Sequence, residues 1–227
     1  MRSFLIPVLC ITSVAAAEGL WTESFTGANG TAPANWTIST TGGSTLNIQN
    51  NALAMSSTGN GEAYGYPNKA AFPALSGWDL TLPYRVEFDF RLPDANNHWF
   101  FVYVDQMAHT VIDYGDDFTY RSGAVNTKIM DLGTSWHHIR YDVRPAAGSY
   151  DIRVDGALKV TGAAFLGVAG PWDPFWIGDR APGSVDFGSA SWDNLEIVTN
   201  IPEPATLVLL SAGLAGLARR LRRRLGW

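Results

Sequence analysis

The chain has 227 residues, of which 46% are hydrophobic and 16% charged, and a formal net charge of −5. That length is ample for a packed core, and the acidic balance argues against nucleic acid as a partner. Cys10 is the single cysteine, so no disulfide can form within the chain.

At the N-terminus Arg2 precedes the apolar run Phe4 to Ile11, and Ala15-Ala16-Ala17 then places small residues in A-x-A order. This pattern predicts a secretory signal peptide over residues 1–17, cut by signal peptidase after Ala17 with Ala15 and Ala17 as the recognised positions. The apolar run is far shorter than the roughly 20 residues of a spanning helix. Cys10 would leave with the peptide, and Leu9 before it is too large for a lipoprotein site, so the mature chain is expected to carry no thiol.

Residues 18–200 form the predicted body. Arg2 and five arginines near the C-terminus account for six of the 16 basic residues, and Glu203 for one of the 21 acidic ones. Ten basic side chains therefore face twenty acidic ones, a body charge of about −10 with no basic patch for nucleic acid.

The body holds many short β-branched and aromatic runs broken by Gly, Pro, Asn and Asp, with no amphipathic helix. The clearest strand is Tyr84 to Leu92, where apolar and charged residues alternate, one face dry and one wet. Further strands are expected at Trp99–Val104, Thr110–Tyr114, Val125–Met130 and Trp136–Val143. Tyr150–Val154 and Ala157–Val160 flank Asp155-Gly156, a pair that supplies the positive φ angles of a two-residue hairpin turn. Phe175–Gly178 and Ala190–Val198 complete the set, which predicts an all-β, two-sheet antiparallel sandwich.

Ser135 to Val143, the Tyr150–Gly156 hairpin, Phe175-Trp176-Ile177-Gly178 and Trp192 to Ile197 resemble the concanavalin A-like, laminin-G-like jelly-roll superfamily. The resemblance implies that Leu20 to Phe25 pairs near the closing strand. The same superfamily contains glycoside hydrolases similar to laminarinases, with the signature E-x-D-x-x-E. Here Glu87 and Asp89 supply the first two acids, but Leu92 stands in the third acidic position. Glu87 and Asp89 between Arg85 and Arg91 therefore read as solvated charges with cross-strand partners, and the body reads as non-enzymatic, with a carbohydrate-active enzyme of the same fold and a purely structural matrix protein as the alternatives.

Histidine supports no metal centre, because His137 and His138 are strand neighbours that point to opposite faces, and His98 and His109 lack ligand spacing. Asp113, Asp116 and Asp117 form the densest acidic run, a weak calcium candidate without the EF-hand pattern; no other cofactor is expected. Eight of the nine tryptophans fall in the body. Trp136, Trp176 and Trp192 are expected to fill the core, whereas Asn97, Trp99, Trp172 and Asp173 lie on predicted loops as candidates for binding a polysaccharide or a surface protein.

At the C-terminus, Ala205 to Ala218 is free of charge, and Arg219, Arg220, Arg222, Arg223 and Arg224 follow. As a helix this run covers about 21 Å, less than the ~30 Å hydrocarbon core, so it predicts a short membrane segment held by its arginine flank on the cytoplasmic side. Pro202-Glu203-Pro204 just ahead keeps the chain extended, as a protease cleft requires. Pro-Glu-Pro, short apolar helix and terminal arginine cluster resemble the PEP-CTERM sorting signal of Gram-negative bacteria, over residues 201–227. The resemblance implies recognition and cutting by a membrane-embedded exosortase, with delivery to the cell surface or extracellular matrix.

Overall fold

The alternation beginning at Tyr84 is realised as a strand in which Tyr84, Val86, Phe88 and Phe90 are buried while Arg85, Glu87, Asp89 and Arg91 remain partly exposed. The structure, a computed structural model, describes residues 19–58, 61–68, 82–93, 100–104, 108–113, 116–122, 125–166, 175–179 and 187–199. The predicted signal peptide and sorting tail lie outside them. Among the described residues no helix is long and apolar enough to cross a membrane.

The strands are, in chain order, β1 Gly19–Glu23, β2 Trp36–Thr40, β3 Thr45–Gln49, β4 Ala52–Thr58 and β5 Ala63–Pro67. They continue as β6 Tyr84–Arg91, β7 Phe100–Val104, β8 Ala108–Asp113, β9 Asp117–Ser122 and β10 Val125–Asp131. The last are β11 His137–Arg144, β12 Ser149–Val154, β13 Ala157–Ala164, β14 Phe175–Asp179 and β15 Phe187–Thr199. Every pairing is antiparallel, and the chain passes repeatedly between two sheets, as a jelly-roll sandwich requires. One sheet runs β13-β12-β11-β6-β15-β4-β3, and the other runs β10-β9-β8-β7-β14-β5-β2.

Strand β15 holds the first sheet together. Its 13 residues pair with β6 along one edge; on the other, β4 meets its first half and β1 its second. Gly19 lies opposite Thr199, so the β1 pairing expected from the resemblance is present. The ladder shifts between Asp193 and Glu196, where Asn194 adopts φ 49°, a bulge that re-aims the neighbouring side chains.

Hairpin chemistry sets two of the registers. Asp155 and Gly156 have φ 51° and 76° and close β12 onto β13, as their sequence predicts. Asn50 and Asn51 do the same for β3 and β4 at 53° and 59°, using asparagine's tolerance of the left-handed region.

The core lies between the sheets. Phe88 of β6 meets Phe175 of β14 with ring centroids 5.6 Å apart, and Phe25 meets Trp36 at 5.4 Å. Trp192 is 1% exposed, against Phe90 at 5.4 Å. Where the two sheets approach each other, the Tyr150 hydroxyl donates to the backbone oxygen of Arg121.

Two tryptophans depart from the expectation that they fill the core. Trp136 precedes β11 by one residue, is 42% exposed, and lies under the Arg91 guanidinium, 4.9 Å from the ring centroid. Trp176 alternates with the buried Phe175 and Ile177 and therefore points away from the core.

Candidate functional site

The outer face of the seven-stranded sheet carries an aromatic cluster. Tyr64 and Tyr66, two residues apart on β5, share one face, and both rings stack on Trp176 of the adjacent β14. The centroids lie 5.3 and 4.7 Å away, with ring planes 7° and 17° from parallel. All three side chains are half-buried, an arrangement that leaves part of a large, rigid apolar surface to solvent.

Gly178 keeps β5 and β14 close together here. It faces Tyr64, has φ 130°, and a Cβ on it would sit 2.2 Å from the Ala63 oxygen and 2.6 Å from the Tyr64 Cα. Any side chain would push β5 away and break the stack. Thr37 and Ser39 of β2 lie opposite Tyr66 and Tyr64 and border the cluster with hydroxyl groups.

The outer face of the eight-stranded sheet has a different character. Arg85 binds Glu87 at 3.3 Å and Glu196 at 3.0 Å. Arg140 binds Asp142 at 2.6 Å, Arg153 reaches Asp142 at 3.5 Å, and Arg144 grips both oxygens of Asp151 at 2.6 and 2.7 Å. His138 approaches Asp89 at 2.9 Å, and the Asn194 amide donates to the other Asp89 oxygen at 2.7 Å. Glu87 and Asp89 thus have cross-strand partners, and Leu92 is fully buried. A carboxylate at position 92 would enter the core instead of joining them.

His137 and His138 do face apart. The ring of His137 bonds Asp155 and the Leu132 carbonyl, while His138 turns to Asp89 and Glu87.

At the β15 bulge Asp193 stands directly opposite Asp89. Burial, and then the neighbouring Asp89 charge, raise its carboxyl above the usual range, against a hydrogen bond from the Asn194 N–H. A carboxyl with a raised folded-state pKa contributes stability when protonated, below the unfolded value near 3.9, and loses it as pH rises through the folded value. Asp193→Asn keeps an acceptor for Asn194 and removes the charge. It is expected to raise the melting temperature at pH 7, with the gain vanishing near pH 3. A gain independent of pH would refute this cause.

The acidic loop differs from its predicted membership. Asp116, Asp117 and Asp131 bring carboxylate oxygens within 4.8 Å of one another, whereas the side chain of Asp113 lies outside the described set. Asp131 comes from the far end of β10, across the Asp117–Asp131 pairing. The Lys128 ammonium bridges Asp117 at 2.7 Å and Asp131 at 2.5 Å, and these two bonds raise its pKa above the ordinary lysine value. Asp116 accepts the Gly133 N–H at 2.9 Å. The Lys128 ammonium thus pairs with two of the three clustered carboxylates. The predicted loop candidates Asn97, Trp99, Trp172 and Asp173 all lie outside the described residues.

Comparison with known proteins identifies the tail and the fold. Residues 200–224 match the PEP-CTERM protein-sorting motif. That motif implies export, exosortase processing and a secreted, surface-associated protein. No curated protein matches the sequence. Among solved structures, the body is similar to a sialidase at TM-score 0.56 and 10% identity, over 72% of this chain and 17% of that one. It is similar also to a mutant of Trypanosoma rangeli sialidase displaying trans-sialidase activity, at TM-score 0.53 and 13% identity, over 80% of this chain and 31% of that one. This chain therefore spans less than a third of either sialidase's length. At such identity the likeness concerns the fold, a jelly-roll sandwich.

Proposed function

We propose that this protein is a non-catalytic glycan-binding module, exported with a cleaved signal peptide and cut from its C-terminal tail by an exosortase. The cell would be Gram-negative and the destination its surface or extracellular matrix. During transit the apolar stretch after Pro204 would sit in the inner membrane, with Arg219, Arg220, Arg222, Arg223 and Arg224 on the cytoplasmic side. Processing at both ends leaves a body of residues 18 to about 201.

The observation that carries the binding reading is the stack of Tyr64, Tyr66 and Trp176. Half-buried aromatic rings bordered by hydroxyls suit the apolar face and polar rim of a sugar ring. A binding rather than catalytic role is supported by the burial of Leu92 and by the ion pairs and hydrogen bonds that engage Glu87 and Asp89. The ligand would be a polysaccharide of the surface or matrix.

The test is a glycan array probed with the processed body and with Trp176→Ala. The wild type is expected to bind a defined glycan class, and the variant to lose at least about tenfold in affinity, or about 1.4 kcal/mol. Circular dichroism should report an intact β fold in both. No binding by the wild type, or unchanged binding by the variant, would defeat this reading.

A further inference from the structure

The ladder of the seven-stranded sheet connects the aromatic cluster to an uncommitted cation. We infer that the glycan bound at this face is a uronic-acid-containing polysaccharide, and that Arg121 reads its carboxylate. The inference rests on the glycan-binding reading and adds the ligand's charge.

The registers define one row across the sheet. Trp176 lies opposite Tyr103, Tyr103 opposite His109, His109 opposite Arg121, and Arg121 opposite Asn126. Arg121 alternates with Phe118 and Tyr120, which pack toward the core, so it shares the outer face with Trp176. Three strand spacings separate the two, about 14 Å at roughly 4.8 Å each. An extended oligosaccharide lying across the strands could meet both at once.

The environment of Arg121 sets it apart from the other arginines. On the opposite sheet Arg85, Arg140, Arg144 and Arg153 are each held by carboxylates, and Arg91, which has no carboxylate partner among the described residues, lies over the Trp136 ring. Arg121 is half-buried, and its buried Nε has no hydrogen-bond partner. Among the described residues no carboxylate pairs with it. In a body with about twice as many acidic as basic side chains, an arginine left open is a site prepared for an external anion. A guanidinium fork matches a planar carboxylate in bidentate fashion, and partial burial strengthens that contact.

Charge also limits which anion can bind. Lys128, one row away opposite Thr119, is already neutralised by Asp117 and Asp131. An arginine with no carboxylate partner among the described residues, on a body of about −10, suits a sparsely charged chain, and such a body repels a densely sulfated one.

The experiment compares three probes by calorimetry on the processed body: oligogalacturonate, its methyl ester, and chondroitin sulfate. The ester keeps the sugar faces and removes the charge. Wild type is expected to prefer the acid over the ester by roughly tenfold, the scale of one charge-assisted hydrogen bond. Arg121→Gln should abolish that preference while still binding the ester, and Arg121→Lys should restore part of it. The Tyr150 bond goes to the backbone oxygen of residue 121 and survives both substitutions, and a melting curve checks that the fold does too. Equal wild-type affinity for acid and ester overturns this inference and leaves glycan binding standing, as does an acid preference retained in Arg121→Gln. Tightest binding to chondroitin sulfate also overturns it. Failure to bind any glycan, on the array or here, removes both readings.

Discussion

Trp192→Ala is expected to cost about 3–5 kcal/mol of stability and to lower the melting temperature by roughly 10 °C or more. The indole is 1% exposed and sits where β15 is paired on both sides, opposite Phe90 of β6 and Leu53 of β4. The cavity left by its removal would lie among strands fixed by their own ladders, which cannot collapse to fill it. Whole domains are stable by only about 5–15 kcal/mol, so this loss takes a large share of the total. Thermal denaturation of the processed body measures it, and a shift of only a few degrees would mean that the sheet relaxes around the gap. Trp136→Ala makes a useful contrast, because that ring is 42% exposed and loses chiefly its contact with Arg91.

A second large effect concerns processing. Intact-mass measurement of the protein recovered from outside its native host is expected to show a chain without residues 205–227. Replacing Pro202, Glu203 and Pro204 together by alanine should keep the whole tail attached and the protein in the membrane fraction. The substitution removes the two prolines expected from the sequence to hold this segment in the extended conformation that a protease cleft accepts. Wild-type protein still carrying residues 205–227 would show the tail to be a permanent anchor.

The contrast between the two ends of the body shows what a sequence can reveal. Strand β6 and the β12–β13 turn are legible because strict alternation and an Asp-Gly pair are local signals. Strands β2 to β5 are hardly legible. Their residues are largely Ser, Thr, Asn, Gly and Ala, and only Leu46, Ile48, Leu53 and Met55 mark the core face of β3 and β4. The Asn50-Asn51 turn is the one local cue there.

Alternation also says nothing about which of two apolar faces is covered. In Phe175-Trp176-Ile177-Gly178 every side chain is apolar, so the outward turn of Trp176 emerges only from the partner strands. The aromatic cluster could not be read for the same reason, since Tyr64 and Tyr66 lie more than a hundred residues before Trp176. Asp131 joins Asp116 and Asp117 through the β9–β10 ladder, again a relation the linear spacing does not carry.

The position of β15 has a consequence for biogenesis. It is the last of the described strands to be made, yet it lies between β6 on one side and β4 and β1 on the other. Until it arrives, the eight-stranded sheet is three separate pieces, β13-β12-β11-β6, β4-β3 and β1 alone, with exposed edges and an open core, the kind of intermediate that aggregates. Thr199 precedes Pro202 by three positions. On the proposed export route, the segment that completes the sheet would therefore emerge from the translocation channel immediately ahead of the sorting tail. If the tail is sorted as proposed, closure of the sandwich and arrest in the membrane would become one event in time, and the sorting protease would meet a body that has just folded beside it.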